Sequence, residues 1–201
     1  MKKRKDEIGI IDIETTGWQK AGGKIVEVGI VSVNLRTGEI KTIFDEVTHE
    51  KPYTKKDKPL TKAYVDSCWI VNNSTLTTEM IQKSRQLIWM KPKIQEIINS
   101  FELGMTAYNI KFDRDYMESR GFVFPVLLDC LMEVSKHICK IPAKNLKYGK
   151  YKNPKAEEAI RIICKDENFI EDHRGASDAY HEGRVALELF KMGKLKVKKY
   201  V

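Results

Sequence analysis

The chain has 201 residues, a length that fits one large domain or two small ones. Its 42% hydrophobic and 32% charged residues exclude a globally disordered chain, and no apolar run approaches the roughly 18 residues needed to span a membrane. The formal net charge of +8 favours a polyanionic partner, nucleic acid or an anionic membrane, and leaves open a basic surface that serves only solubility.

The first part of the chain has the pattern of a sheet. Strands are predicted over residues 8–14, 25–35 and 40–47. Because short glycine-containing turns separate them, sequential strands are expected to pair in an antiparallel way. Residues 49–60 are rich in Lys and Pro and predict a loop, either solvated or in contact with a polyanion.

From residue 77 onward, apolar residues recur at a spacing near the helical period. Helices are expected around residues 80–88, after Pro92, and over 109–119, 131–138, 156–164 and 175–192, with short strands at 105–108 and 126–129. Strands followed by alternating strands and helices predict one α/β domain with a mixed sheet. Within the single domain, 1–201, the core is expected over residues 6–192, with a basic tail over residues 193–201.

The cysteines and the N-terminus favour a cytoplasmic protein. Four cysteines form no CxxC pair and have no spacing suited to zinc, and are therefore predicted to be buried thiols in a reducing compartment: Cys68, Cys130, Cys139 and Cys164. The basic start MKKRK resembles that of a signal peptide, but acidic residues at positions 6, 7, 12 and 14 interrupt the apolar segment that such a peptide needs.

Asp12 and Glu14 lie at i and i+2 on the first predicted strand, so their side chains share one face while Ile11 and Ile13 point into the core. Two adjacent carboxylates repel each other, and a fold keeps them together mainly when a cation lies between them. An exposed strand face with two solvated acids is the alternative. The Thr-Thr-Gly turn that follows favours a cation site, because it would free backbone N–H groups and hydroxyls there.

Asp113 follows Asn109 by four residues. If Asn109 caps a helix, Asp113 lies in its first turn, where an acid is ordinary because it interacts favourably with the helix dipole. Asp115 is the other candidate for a functional acid in this helix, but it lies roughly 200° around the helix axis from Asp113 and so on another face.

His173 and Asp178 lie five residues apart and would be about 140° apart on one helix. They can converge only if His173 precedes the helix and Asp178 faces inward from it. A surface histidine beside a helix start is the alternative. His181 and Glu182 lie one turn beyond Asp178 and are not expected to take part.

Together these segments resemble the three motifs of the DEDDh (DnaQ-like) 3′→5′ exonuclease family. In chain order they read DIETTG over residues 12–17, NIKFD over 109–113 and HRGASD over 173–178, and all five polar residues of the motifs are present. The resemblance covers residues 6–192. Gly175 and Cys130 depart from the residues usual in the family, and the segment 49–73 is longer than a minimal member needs.

The resemblance implies a ribonuclease-H-like mixed β-sheet flanked by α-helices. It implies that Asp12, Glu14, Asp113 and Asp178 bind two Mg²⁺ or Mn²⁺ ions, with Asp12 bridging, Glu14 and Asp178 on the first ion and Asp113 directed to the second. Two cations can clamp the attacking and leaving oxygens of an anionic phosphodiester. The resemblance assigns His173 as the general base that takes a proton from the attacking water.

The resemblance also implies contacts to the 3′-terminal nucleotide from six residues: Thr15, Thr16, Gly17, Trp18, Asn109 and Phe112. Trp18 would stack on a base or be a half-buried core aromatic, and Phe112 is equally compatible with packing alone. The function expected is hydrolysis of the terminal phosphodiester of single-stranded DNA or RNA 3′ ends, releasing nucleoside 5′-monophosphates. The alternative is a non-catalytic nucleic-acid-binding or scaffold subunit that retains the fold. Association with a polymerase or another replication or repair protein is compatible with either function.

Overall fold

The computed structural model describes residues 3–51, 59–145 and 149–198. Three long antiparallel strands begin the fold, as predicted: β1 (Glu7–Thr15), β2 (Ile25–Asn34) and β3 (Ile40–His49). β2 is buried along nearly its whole length because it lies in the middle of the sheet, where its Ile and Val side chains pack on both faces.

Two short strands complete a five-stranded mixed sheet. β4 (Arg85–Gln86) pairs in parallel with β3, and β5 (Met105–Thr106) pairs in parallel with β1. The strand order is β4-β3-β2-β1-β5. β1 therefore has a neighbour on each side, which fixes the directions of its side chains.

Helices cover both faces of this sheet. Within the described residues they are α1 (Lys62–Asp66), α2 (Trp69–Asn73), α3 (Thr78–Lys83), α4 (Leu87–Ser100), α5 (Ile110–Ser119), α6 (Leu131–Cys139), α7 (Ala156–Ile163) and α8 (Gly175–Lys191). A short 3-10 turn, Gln19–Ala21, follows β1.

The alternation of side chains along β1 divides the interior into two cores. Ile8 and Ile10 pack against α6, α7 and α8, whereas Ile11 and Ile13 pack against α4 and α5. α8 runs across β1 and β2. Since residues at even positions share a face, the next two residues on the α8 side are the acids at positions 12 and 14.

The structure differs from the predicted elements in several places. The helix expected around residues 80–88 is divided between α3 and α4, with β4 between them. Pro92 lies inside α4, which begins at Leu87, because Leu87, Met90 and Ile94 form one buried face across the proline. Burial of that face outweighs the backbone hydrogen bond that proline cannot make. Residues 126–129 are not a strand; Leu127 forms an isolated bridge to Met105.

The segment between β3 and β4 contains α1, α2 and α3, of which the sequence pattern indicated α3 alone. Thr61 and Thr77 cap α1 and α3 through their side-chain oxygens. Buried side chains of this segment, among them Val65 and Ile70, pack on Val26 of β2. The predicted loop over residues 49–60 lies partly outside the described residues.

The packed part of the chain continues past Met192, where the sequence pattern ended it. Leu195 and Val197 are buried in the core beneath α8, while Lys194, Lys196 and Lys198 between and beside them are exposed. Residues 193–198 therefore do not form a free tail, and residues 199–201 lie outside the described residues. Among the helices described, none combines the length and the apolar character that crossing a bilayer requires.

Candidate active site

β1 presents Asp12 and Glu14 to the first turn of α8. In the sheet, Asp12 lies opposite Gly29 of β2, and Glu14 lies opposite Glu27. A Cβ on residue 29 would lie only 2.1 Å from the carbonyl carbon of Gly175, so the absence of a side chain at Gly29 is what lets α8 approach. A Cβ on Gly175 would lie 2.9 Å from the Gly29 nitrogen, which explains the glycine that departs from the usual third motif.

A buried ion pair holds the start of α8 in this position. Arg174 donates to both carboxylate oxygens of Glu27, with Nη2 at 2.6 Å from Oε1. The backbone N–H of Gly175 donates to Glu27 Oε2 at 2.9 Å. Because the carboxylate of Glu27 is fully buried and has several donors, removing one partner would leave an uncompensated charge.

The structure brings the third motif onto the first. One ligand atom each of Glu14, His173 and Asp178 lie within 4.8 Å of one another. His173 precedes α8 and has a left-handed backbone, with φ of 54°, whereas Asp178 faces inward from the first turn. The two side chains thus converge in the way that their spacing requires.

The second motif is tied to β1 by a hydrogen bond. Asp113 lies in the first turn of α5, is buried, and accepts the backbone N–H of Ile13 at 3.1 Å through Oδ1. Asn109 occupies the N-cap position of α5 without a capping hydrogen bond from its side chain. Asp115 pairs instead with Lys111 and Arg114, away from the acids.

Burial raises the pKa of every carboxyl in this cluster, and repulsion from neighbouring acids adds to the effect for Asp12, Glu14 and Asp178. For Asp12, burial is the larger cause and the negative charge of Glu14 comes next. Burial, followed by the charge of Asp178, raises the pKa of Glu14 to about 9. Burial raises the pKa of Asp113 to about 8, and burial with Glu171 raises that of Asp178 to about 8. The cluster thus carries more negative charge than its surroundings stabilise.

The acids fit divalent cations. Among the described residues, Asp12 Oδ2 and Asp178 Oδ1 are buried and have no hydrogen-bond partner in the protein. Buried carboxylate oxygens without donors are costly unless a cation supplies the missing interaction. An all-oxygen set of ligands suits Mg²⁺ or Mn²⁺. Asp12, Glu14, Asp113 and Asp178 would hold such ions.

Sequence reasoning set aside Glu182, yet the structure buries it beside the cluster. Its Oε2 accepts the backbone N–H of Tyr108 at 3.0 Å, and its charge contributes to the raised pKa of Asp12. The signal was available, because residues i and i+4 share a helix face and Glu182 lies four residues after Asp178. His181 points elsewhere, packing on Phe169 with ring centroids 4.4 Å apart.

The turn after β1 makes more hydrogen bonds within the protein than its sequence suggests. The Thr16 backbone N–H donates to Lys24, and its hydroxyl accepts from the Lys24 N–H and from the Tyr64 hydroxyl. The Thr15 hydroxyl donates to Gly17 O at 3.0 Å. Thr16 is buried and stabilises the turn, so it is not one of the free donors expected beside the acids.

Trp18 and Phe112 line a cavity of about 590 Å³ between the residues that follow the first motif and those of the second motif. Trp18 is 74% exposed, which excludes a half-buried core aromatic, and its ring meets Phe112 edge to face with centroids 5.8 Å apart. Asn109, Lys20 and Tyr116 also line this cavity. It combines aromatic surfaces with a lysine ammonium group, the chemistry that accepts a nucleotide.

Sequence reasoning also missed Trp69. It lies on α2, in the segment to which the motifs assign no role, and its ring contacts the ring of His173 with centroids 4.7 Å apart. No spacing along the chain relates residue 69 to residue 173, so the contact becomes visible only in the folded molecule.

No protein-family model matches the chain, and no curated protein matches it in sequence. Solved structures match it in fold. The nuclease domain of 3′hExo, a DEDDh family member bound to rAMP, has a TM-score of 0.63 at 14% identity, with 98% of each chain covered. Exonuclease X in complex with 5′ overhanging duplex DNA has a TM-score of 0.59 at 18% identity, with 95% of each chain covered.

A full-length 3′-exonuclease matches with a TM-score of 0.63 at 14% identity, over 98% of this chain and 65% of the other. The chain thus spans about two thirds of the length of that protein. At these identities the likeness establishes the fold, and it confirms the predicted ribonuclease-H-like mixed sheet flanked by helices.

Proposed function

We propose that the chain is a DEDDh-type nuclease, a metal-dependent 3′→5′ exonuclease that releases nucleoside 5′-monophosphates. The observation that carries the proposal is the convergence of four carboxylates with His173. Glu14, His173 and Asp178 have ligand atoms within 4.8 Å, Asp113 is bonded to the strand that carries Asp12, and the neighbours in fold are 3′-exonucleases. Perturbed acids gathered in this way mark a functional centre.

Asp12, Glu14, Asp113 and Asp178 hold divalent cations in this proposal. Bound cations would neutralise charge on the phosphodiester and lower the pKa of the attacking water. The protein contributes rigidity, because β1 fixes two of the acids, the bond to Ile13 fixes Asp113, and the Glu27–Arg174 pair fixes the start of α8.

His173 acts as the general base. Its imidazole takes a proton from the water whose oxygen attacks phosphorus, while the bond from phosphorus to the 3′ oxygen of the preceding nucleotide breaks. The Glu171 carboxylate lies 4.0 Å from Nδ1 of His173 and faces the imidazolium that forms. Histidine is a common general base in enzymes, because one nitrogen of its neutral imidazole can accept a proton.

The substrate proposed is a single-stranded 3′ end of DNA or RNA. Trp18, Asn109 and Phe112, which line the cavity, and Gly17, which directly precedes Trp18, would contact the terminal nucleotide. The exposed indole of Trp18 offers a face for a base. Thr15 would contribute beside them, and Thr16 indirectly by supporting the turn. Cytoplasmic location and association with a polymerase or another replication or repair protein stay predictions.

A non-catalytic scaffold is the second candidate, and the buried acids argue against it. A subunit that only bound nucleic acid would gain nothing from carboxylates whose burial and repulsion raise their pKa values. The basic chain would bind equally well without them.

The deciding experiment is product analysis on 3′-labelled oligonucleotides of matched DNA and RNA sequence. Mononucleotide release that requires Mg²⁺ or Mn²⁺, stops in EDTA and returns when the metal is restored supports the proposal. Full activity in excess chelator would overturn the role of the metal, and binding without cleavage at any metal concentration would favour the scaffold.

A further inference from the structure

The side chain of the general base lacks support from hydrogen bonds. Its backbone is fixed by the neighbouring Glu27–Arg174 pair, but among the described residues no hydrogen bond reaches the His173 ring. Glu171 Oε2 lies 4.0 Å from Nδ1, too far for a hydrogen bond. The ring is half-buried and could therefore rotate about its side-chain bonds unless packing prevents it.

Trp69 supplies that packing. The two rings meet nearly edge to face, with centroids 4.7 Å apart and an interplanar angle of 72°. Aromatic pairs of this geometry are worth about 0.5–1.5 kcal/mol beyond the area they bury. The other face of Trp69 is open, since the residue is 60% exposed.

The backbone of Trp69 is held in place by its neighbours in the chain. Cys68 and Ile70, on either side of Trp69, are 4% and 2% exposed and belong to the core that packs on Val26 of β2. The Asn73 side chain donates to the Trp69 carbonyl at 2.8 Å. α2 therefore carries Trp69 at a fixed backbone position, from which its indole contacts the ring of His173.

We propose that Trp69 is a positioning residue, whose indole fixes the ring of His173 in the orientation in which it takes the proton from the attacking water. This inference rests on the proposed function. It gives a role to the segment between β3 and β4: the segment completes the support of the base from outside the three motifs.

The test compares Trp69→Ala and Trp69→Phe with wild type, using an oligonucleotide and Mg²⁺. Misplacing a catalytic group by about 1 Å costs up to about 100-fold, so Trp69→Ala should lower kcat by about 10- to 100-fold and leave KM within about twofold. Trp69→Phe retains an aromatic edge and should recover most of the loss. Trp89→Ala is the matched control, because Trp89 is another exposed tryptophan, located on α4.

A second readout is independent of activity. ¹³C relaxation of the histidine rings should show greater motion of His173 in Trp69→Ala than in wild type or Trp69→Phe, while His181 is unchanged. Equal order of the His173 ring in all three proteins would overturn the proposal, as would a rise in KM alone, which would make Trp69 a base-stacking residue. If wild type releases no nucleotide, the proposed function fails, and the relaxation data still decide whether Trp69 orients the ring.

Discussion

Two buried carboxylates, those of Asp178 and Asp12, destabilise the metal-free protein when they are ionised. Asp178 offers one oxygen to the backbone N–H of Arg174, at 3.2 Å, while its other oxygen is buried without a partner. Asp12 has a similarly unpaired oxygen. Each acid is therefore more favourable protonated or bound to a cation than as a bare anion.

Asp178→Asn should stabilise the metal-free protein at high pH. Burial and Glu171 raise the pKa of Asp178 to about 8, above the value of about 4 in the unfolded chain. The folded state then binds more protons than the unfolded state between these values, so this group's contribution to stability is complete below pH 4 and is lost as pH rises through about 8. In EDTA the melting temperature of the variant should exceed that of wild type at pH 9, with the difference shrinking towards pH 5.

Magnesium provides the control for that experiment. It should raise the melting temperature of wild type, since the folded state binds it preferentially, and should raise that of Asp178→Asn much less. A variant clearly less stable than wild type in EDTA at pH 9 would show that Asp178 is a structural hydrogen-bonding residue.

His173→Ala should slow the chemical step by roughly 10²–10⁴-fold, the usual range for loss of a general base. Nucleic-acid affinity should change little, because the four carboxylates proposed to hold cations and the cavity beside Trp18 remain. The measurement is single-turnover cleavage with a parallel binding titration. His181→Ala is the matched control, as His181 packs on Phe169 and Arg184; the opposite ranking of the two variants would show that the base is misassigned.

At the scale of elements, the position of α8 on the sheet decides whether the site exists. α8 approaches β1 and β2 through the backbone contact between Gly29 and Gly175, and carries Asp178 in its first turn. A displacement of this helix moves Asp178 and the preceding His173 away from Glu14 together.

Gly29→Ala should therefore abolish the proposed nucleotide release as well as destabilise the protein. The new Cβ would lie 2.1 Å from the Gly175 carbonyl carbon, and since both belong to backbones, α8 must shift. Overpacking of this kind costs about 1–3 kcal/mol. Urea unfolding and nucleotide release measure the two effects. Gly175→Ala, whose Cβ would lie 2.9 Å from the nearest atom, should do less, and wild-type behaviour of Gly29→Ala would refute the role of the contact.

The elements that the sequence predicted well are those with a strong local period. β1 and β2 run apolar over many residues, and α8 has a continuous buried face. Pro92 misled the prediction because tertiary burial on both sides of it outweighs its local preference. α1 and α2 are each five residues long, too short for a period to be recognised.

The residues of the candidate site also divide into those that a local spacing predicted and those that it did not. Asp12 and Glu14 are related by the two-residue repeat of a strand, so their common face followed from the sequence. The spacing of His173 and Asp178 only allowed the two side chains to converge, on the condition that His173 precedes the helix. Trp69 and the buried Glu27 contact the third motif only through the folded chain, and no pattern connects residues so far apart.

At the scale of the whole molecule, the lysine-rich C-terminal residues belong to the packed structure. Leu195 and Val197 are buried and alternate with exposed lysines, which is the pattern of an extended segment lying on the surface. This segment joins the core that α8 covers.

Deleting residues 193–201 should lower the melting temperature, because full burial of a Leu or Val side chain contributes about 1.5–3 kcal/mol. Replacing Lys194, Lys196 and Lys198 with Gln keeps the buried residues and should leave the melting temperature near that of wild type. If these lysines contact phosphates, the triple variant also shows a smaller dependence of affinity on salt. A truncated protein as stable as wild type would contradict the packing of this segment.

The hydrogen bond from Gly175 to Glu27 joins residues 148 positions apart in the chain. The ribosome adds about 5–20 residues each second, so roughly 7–30 s pass between the addition of Glu27 and the addition of Gly175. Throughout that interval the growing polypeptide carries the acids of β1 without the histidine or the last aspartate. The proposed nuclease activity would therefore be absent during synthesis, because the ribosome adds the last two residues of the candidate site only after most of the fold has been made.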